Sequence, residues 1–225
     1  MAKSNNPKED SKVDVQNVYS KTEQYVDDNR NTLLIIAGIL VVLFVGYFAV
    51  TRLYLEPRNE EGMNLLWKAE YWFEIDSLDR ALAGNESYYG FEYVADEYSA
   101  TEAGDLAAYY SGIIYMKKGD FPRAIEYLKD ADLDDELAGA VAKGTIGDAM
   151  VELGNLDKAL SFYDDAISHS KNMLTAPIYL KKAGLVHEER EEFEKALEKY
   201  TTIKEEYPNS SEARVIDAYI ARVGG

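Results

Sequence analysis

The chain has 225 residues, enough for one domain of ordinary size and an additional segment. It carries 24 Lys and Arg against 41 Asp and Glu, and a net charge of −17 excludes the basic surface that nucleic acids and anionic lipids require. The absence of cysteine excludes disulfides, thiolate zinc sites and lipoprotein acylation, but it does not distinguish an oxidising from a reducing compartment. The remaining composition favours helices, and we expect the partners to be proteins.

Residues 1–30 are predicted to form a short polar N-terminal tail. Residues 1–12 are polar, and we expect them to be disordered. The remainder, Val13 to Arg30, favours an amphipathic helix because its apolar residues share one face at helical spacing. Its polar face is too acidic to bind lipid strongly, so we interpret it as a stem or a contact for a partner. The shared face comprises Val15, Val18, Tyr19, Thr22 and Val26.

Residues 31–54 are predicted to form a single transmembrane helix. The stretch from Thr32 to Thr51 has no charged residue over 20 positions and is apolar on every side. At about 1.5 Å per residue it spans about 30 Å, the thickness of a bilayer core. The sequence that follows, FAVTRLYL, lacks the small-residue pattern of a signal-peptidase site. A permanent anchor is therefore favoured over a cleaved signal or a buried core helix.

Two glycines of this helix, Gly38 and Gly46, fall on nearly one face. They predict a surface for packing against another membrane helix, although glycine is also common in membrane helices for other reasons. Basic residues are nearly balanced on the two sides of the helix, so the positive-inside rule gives almost a tie. The short N-terminal tail and the long C-terminal domain favour a cytoplasmic N-terminus.

Residues 57–225 are predicted to be helical throughout, and residues 57–100 form a divergent helix pair. The first helix is expected to run to the stop signal at Gly84 and Asn85, and the second from about Tyr88 to Tyr98. Aromatic residues crowd this pair. We interpret them as its core, with a docking patch as the alternative. They are Tyr71, Trp72, Phe73, Tyr88, Tyr89, Phe91 and Tyr93.

Residues 105–208 contain three copies of one pattern, offset by 35 and 37 residues. The copies are AYYSGIIYMKKGDFPRAIEYLKDA, KGTIGDAMVELGNLDKALSFYDDA and LKKAGLVHEEREEFEKALEKYTTI. In each, a Gly precedes an Ala by 12 residues, and a large residue follows the Ala by four. Two helices approach closely only where a side chain is small, so each Gly and Ala predict the contact within a helix pair. These residues are Gly112 and Ala124, Gly147 and Ala159, and Gly184 and Ala196.

This pattern resembles the tetratricopeptide repeat (TPR), which implies helix pairs stacked into an α-solenoid. Two residues of the third copy depart from the family: His187 stands where Tyr is favoured, and Glu191 replaces the helix-ending Gly. We expect the turn at Glu191 to be tighter or more helical. Residues 210–223 read as a capping helix. The predicted fold is therefore all-α, with one transmembrane helix, a divergent helix pair, three TPRs and a C-terminal cap.

The layout also resembles the YfgM-like family of ancillary SecYEG translocon subunits, with the segment TEQYVDDNRNTLLIIAGIL carrying the likeness from tail to helix. The resemblance implies a single-pass protein of the bacterial inner membrane, with a cytoplasmic N-terminus and a periplasmic TPR domain. It also implies the Sec translocon, a membrane-anchored periplasmic chaperone and client polypeptides as partners.

The TPR resemblance implies that the first helix of each pair lines a protein-binding groove. The carboxylate-clamp variant of the family needs Lys, Arg and Asn there, and only Lys181 fits, so we expect an apolar segment as the ligand. The alternative is that these side chains pack against neighbouring helices. The candidate residues are Leu106, Tyr109, Ile113, Met116, Val141, Val151, Ile178, Lys181 and Leu185, with Asp148 among them.

No catalytic, metal or cofactor site is predicted. The motif HEERE at His187 lacks the second His of a zinc-binding helix, and the acidic stretch KDADLDDEL lacks the Gly and distal Glu of a calcium loop. We therefore predict a non-enzymatic, membrane-anchored interaction scaffold, ancillary to the translocon and with a chaperone-like role. A scaffold for division or outer-membrane assembly is the alternative, and an enzyme built on the acidic clusters is disfavoured.

Overall fold

A computed structural model describes residue 23 and residues 25–224. The chain divides into two compact units, one that ends at Leu53 and one that begins at Tyr54. Within the predicted N-terminal tail, residues 23 and 25–28 are helical. The predicted polar segment 1–12 and most of the predicted amphipathic helix lie outside the described residues.

The first unit contains helix α1, Arg30–Val50, none of whose residues is buried. Its uninterrupted Leu, Ile, Val and Phe side chains face outward all around the helix. Residues Thr51–Leu55 follow as a π-helical segment. Among the described residues, only the helical stretch that begins at Arg30 is long and apolar enough to cross a membrane.

The second unit begins with two helices where the sequence predicted one. The expected helix is broken after α2, Glu56–Glu74, because Asp76 adopts the left-handed conformation with φ of 57°. The amides of Asp76 and Ser77 donate to the carbonyl oxygens of Phe73 and Trp72 at 3.0 and 2.8 Å, which closes the C-terminus. The chain then resumes as α3, Leu78–Ala83.

A short hairpin follows that the sequence did not predict. Strands β1, Gly84–Asn85, and β2, Tyr88–Tyr89, pair antiparallel. Gly84 has a φ of 69°, and the Ser87 amide donates to the Asn85 side chain at 2.8 Å. The helix expected from Tyr88 therefore begins only at Phe91, as α4, Phe91–Glu97.

The remaining chain is a series of helix pairs in which each helix packs against its partner and against the next pair. This arrangement confirms the predicted all-α class, a helical repeat region closed by one final helix. The elements are α5 (Glu102–Lys118), α6 (Phe121–Asp130), α7 (Ala138–Glu152), α8 (Leu156–His169), α9 (Ala176–Glu189), α10 (Phe193–Glu206) and α11 (Ala213–Val223).

Within each pair, the glycine of the first helix lies beneath a large side chain of the second. A Cβ at Gly147 would lie 2.6 Å from two ring carbons of Tyr163 and 3.3 Å from the Ala159 carbonyl oxygen. Gly112 meets Leu128 in the same way, and Gly184 meets Tyr200. The three partner alanines, Ala124, Ala159 and Ala196, have no solvent exposure. The glycine thus sets the distance between the two helices.

The first helix of every pair ends in the same left-handed turn. Gly119 and Gly154 have φ of 75° and 70°, and Glu191 has a φ of 58°. The Glu191 amide donates to the Glu188 carbonyl oxygen at 2.9 Å, as Gly119 does to Met116 at 3.1 Å. The expectation of a tighter or more helical turn at Glu191 is therefore wrong, because this glutamate adopts the same left-handed conformation as the two glycines.

Glu191→Gly is expected to raise the free energy of unfolding by about 1 kcal/mol. An L-residue in the left-handed conformation costs roughly 1–2 kcal/mol, and glycine gives back part of this as chain entropy. Urea denaturation of the full chain in detergent, followed by circular dichroism, measures the shift. Glu198→Gly, at an exposed position in the interior of α10, is the matched control and should destabilise by about 1 kcal/mol. Equal effects of the two substitutions would contradict the strain assigned to Glu191.

Candidate protein-binding groove

The predicted groove residues all lie on the first helices of the three pairs, α5, α7 and α9. Eight of the nine are half-buried, and Leu185 is exposed. Several also pack at the edge of the buried clusters, among them Leu106, Met116, Val151 and Ile178. These side chains therefore support the helix packing and still present part of their surface to solvent.

In the first pair the row is wholly apolar and aromatic. The Tyr109 ring meets the Tyr110 ring edge-on at 5.8 Å, and Ile113 and Met116 follow it along α5. Burial raises the pKa of Tyr109, so its phenol stays protonated at neutral pH. Among the described residues the Tyr109 hydroxyl has no hydrogen-bond partner, so this donor is available to a ligand.

In the second pair the row is interrupted by a glycine. Gly144 stands between Val141 and Asp148, and the Tyr179 ring from α9 lies directly over it. The same ring stacks on Tyr163 with centroids 6.1 Å apart. The sequence analysis did not identify Tyr179, because its contact with Gly144 joins two different helix pairs. This part of the row is covered by the next pair of helices.

Asp148 is held in a polar cluster that joins α7, α8 and α9. Its carboxylate accepts from the Tyr163 hydroxyl at 2.8 Å and from Lys182 at 2.6 and 2.7 Å. Burial, and then the charge of Asp148, raise the pKa of Tyr163, which therefore remains a hydrogen-bond donor. Asp148 thus fixes neighbouring helices. Lys181, one residue earlier than Lys182, is half-buried and makes no ion pair with any described residue.

In the third pair the final helix occupies the end of the row. Glu188 stands four residues after Gly184, as Met116 and Val151 do after their glycines. Its carboxylate accepts from the Arg222 side chain of α11 at 2.8 and 2.6 Å and from the Tyr200 hydroxyl. Burial acts to raise the pKa of Glu188, but these hydrogen bonds outweigh it and the net direction is downward.

The two histidines lie in protein contacts. His187 is buried, and its Nδ1 is 2.7 Å from a Glu192 carboxylate oxygen. The His169 Nε2 is 3.1 Å from the Asp135 carbonyl oxygen. In the part of the chain that the structure describes, no group of three or more His, Asp or Glu side chains is arranged to hold a metal ion.

The candidate membrane-packing residues Gly38 and Gly46 both lie in α1. A Cβ added at either would meet no atom of the described chain within 4 Å. The close approach of another helix is therefore sterically open at both positions, and the packing face remains a prediction.

Comparison with protein families matches residues 182–210 to the tetratricopeptide repeat. The matched stretch contains the end of α9, the whole of α10 and the turn that precedes α11. No curated protein matches the chain. The third helix pair is thus a TPR, and the two pairs before it have the same glycine contact and the same left-handed turn. The TPR is a protein-interaction module, so proteins are the partners that this region indicates.

Glu188→Gln is expected to lower the free energy of local opening of α11 by about 1 kcal/mol at neutral pH. This effect is small for a charged hydrogen bond because Arg222 is half exposed. Since the folded-state pKa of Glu188 is lowered, its stabilisation is complete above the ordinary pKa and is lost as pH falls through the folded value. The difference from wild type should therefore shrink below about pH 4. Amide hydrogen exchange of α11 at pH 7, 5 and 3 measures it.

The matched control for this change is Glu189→Gln, which alters the neighbouring exposed carboxylate. It should leave the exchange of α11 unchanged at every pH. An effect of Glu188→Gln that is the same at pH 7 and pH 3 would contradict the role assigned to the Arg222 contact.

Proposed function

We propose that the protein is a non-enzymatic, membrane-anchored scaffold whose repeat region binds apolar segments of other polypeptides. The observation that carries this proposal is the row of first-helix side chains that remains partly exposed after the helices have packed. In α5 the row offers Tyr109, Ile113 and Met116 at helical spacing. The Tyr109 hydroxyl has no hydrogen-bond partner among the described residues. Tyrosine supplies large contact area at low conformational cost, which suits an interaction anchor.

The binding mode we propose is an extended or helical apolar segment laid along this row. Every row residue of the first pair is apolar or aromatic, whereas the second and third pairs also contribute Asp148, Lys182 and Glu188, which already pair with protein groups. A ligand would therefore place most of its apolar anchors against α5 and its polar groups towards α9. Exposed Leu185 lies on α9, as does Lys181, which pairs with no residue that the structure describes.

We further propose that the scaffold serves protein export as an ancillary translocon subunit with a chaperone-like role. The layout of tail, apolar helix and TPR region supports this role through its resemblance to the YfgM-like family. Polypeptides that leave an export channel expose apolar surface before they fold, which is the chemistry that the row on α5 accepts. In this proposal the N-terminus is cytoplasmic and the repeat region is periplasmic.

The orientation is testable because the native chain has no cysteine to interfere. Ser161→Cys on the exposed surface of α8 is expected to react with a membrane-impermeant maleimide in spheroplasts. Ser4→Cys in the tail should react only after the membrane is broken. Labelling by gel shift measures both. The reverse pattern would place the repeat region in the cytoplasm and contradict a role in the periplasm, while leaving the binding row itself untouched.

Photocrosslinking in cells tests the binding row. A benzoylphenylalanine at Tyr109 is expected to yield adducts with exported polypeptides, and one at Gly46 an adduct with a membrane subunit of the translocon. The exposed position Glu198 on α10 is the matched control. Ile113→Asp should reduce the Tyr109 adducts, because a carboxylate would be desolvated by an apolar ligand.

Mass spectrometry of these adducts distinguishes the outcomes. Adducts with division or outer-membrane assembly proteins would replace the export role by an envelope-assembly role. Equal adduct yield at Tyr109 and Glu198, unaffected by Ile113→Asp, would contradict binding along the row.

A further inference from the structure

A second surface, remote from the glycine contacts, lies on α2 and the hairpin. Met63, Trp67, Tyr71 and Ile75 recur at every fourth residue and are all exposed, with Trp67 at 61% and Tyr71 at 53%. Scattered exposed apolar residues are ordinary, but an aligned set that includes Trp and Tyr is typical of an interaction surface. The sequence analysis interpreted the aromatic residues of this region as core, with a docking patch as the alternative. The structure buries Phe91 and leaves Tyr71 exposed.

Aromatic rings and cations alternate beside this surface. The Arg80 guanidinium lies 4.6 Å above the Trp72 ring, and Trp72 stacks on Tyr88 with centroids 6.3 Å apart. The Lys68 ammonium lies 5.9 Å from the Tyr88 centroid and 5.3 Å from that of Trp67. The rings hold both cations in place without neutralising them.

Neither Lys68 nor Arg80 forms an ion pair with any residue that the structure describes. This is informative in a chain with 41 acidic residues, since carboxylates are abundant and none within the described ranges reaches these two positions. A cation that has a fixed position and no ion-pair partner among the described residues can form an ion pair with a carboxylate of another molecule.

A cleft of about 470 Å³ opens between α2 and the hairpin at the same place. Leu65, Trp67 and Tyr89 provide its apolar walls, Lys68 its positive charge and Glu86 its one carboxylate. The volume suits one or two large side chains. Tyr89 stacks on Tyr93 at 3.9 Å, which fixes this wall of the cleft.

We propose that this aromatic cleft docks a segment of another polypeptide in which an aromatic or aliphatic side chain stands next to a carboxylate. The apolar anchor enters between Trp67 and Tyr89, and the carboxylate pairs with Lys68. Because Trp67 is mostly exposed, the cleft encloses no small molecule completely and instead suits the flank of a protein segment. The glutamates of α2, including Glu70 and Glu74, repel anionic lipid headgroups and disfavour a bilayer as occupant.

Peptide display on the full chain in phosphatidylcholine nanodiscs tests this proposal. Random dodecapeptides are selected in parallel on the wild type and on Trp67→Ala. Peptides enriched only on the wild type are expected to carry Asp or Glu within two residues of an aromatic or aliphatic residue. Trp67 is exposed, so its replacement should leave the fold intact, and circular dichroism checks this.

The most enriched peptide, labelled with fluorescein, is then titrated by anisotropy. Trp67→Ala and Lys68→Glu are each expected to weaken binding by about tenfold or more, and Lys68→Arg to preserve it. A peptide with Lys in place of its acidic residue should bind Lys68→Glu better than the wild type. Phe193→Ala, which removes an exposed aromatic ring on α10 outside both proposed surfaces, is the matched control and should leave the affinity unchanged.

Several results would overturn the proposal. One is peptide enrichment that does not depend on Trp67, and another is equal binding of peptides without an acidic residue. The third is that the peptide with Lys in place of its acidic residue binds Lys68→Glu no better than it binds the wild type. Trp67-dependent self-association in analytical ultracentrifugation would assign the cleft to a second copy. Trp67-dependent binding to vesicles of phosphatidylcholine and phosphatidylglycerol would assign it to lipid.

Discussion

The close approach at Gly112, Gly147 and Gly184 is the contact on which the repeat region depends. It places a large side chain of the second helix over the first helix. Whether that side chain has a hydroxyl group then determines whether the first helix must provide a hydrogen-bond acceptor. Tyr163 and Tyr200 are buried with a hydroxyl that needs an acceptor, and carboxylates of the first helices, Asp148 and Glu188, provide it. Leu128 needs none, and the corresponding positions of α5, Ile113 and Met116, are apolar. The large residue at each close contact therefore accounts for the acidic or apolar residues at these positions.

This dependence also shapes the surface that remains for binding. Each carboxylate that accepts a hydrogen bond from a buried tyrosine also pairs with a cation. Asp148 pairs with Lys182, and Glu188 pairs with Arg222. The first-helix row therefore changes from apolar at α5 to charged and internally paired at α9. A paired carboxylate offers a ligand little, because binding would have to break contacts already made. The apolar binding capacity is thus concentrated in the first pair.

Local rules explain what the sequence predicted well. Glycine spacing, capping residues and turn glycines act within one helix pair, so the all-α repeat could be recognised from the chain alone. The break at Asp76 and the left-handed Glu191 were missed because Asp and Glu rarely adopt the positive φ that glycine adopts freely, and the hairpin was missed because each of its strands has only two residues. The roles of Tyr179 and of Lys68 were missed because each depends on a contact with another element.

The apolar helix α1 affects how tightly the two proposed binding surfaces must bind their partners. None of its residues is buried against the described chain, and exposing so many Leu, Ile, Val and Phe side chains to water would cost about 25 cal/mol per Å². A bilayer or partner helices must therefore cover it. In the function that we propose, this helix tethers the repeat row and the aromatic cleft near one membrane, where two modest contacts with the same assembly would reinforce each other through effective concentration. Neither surface would then need high affinity, and anchors such as half-buried Tyr109 and exposed Trp67 would suffice.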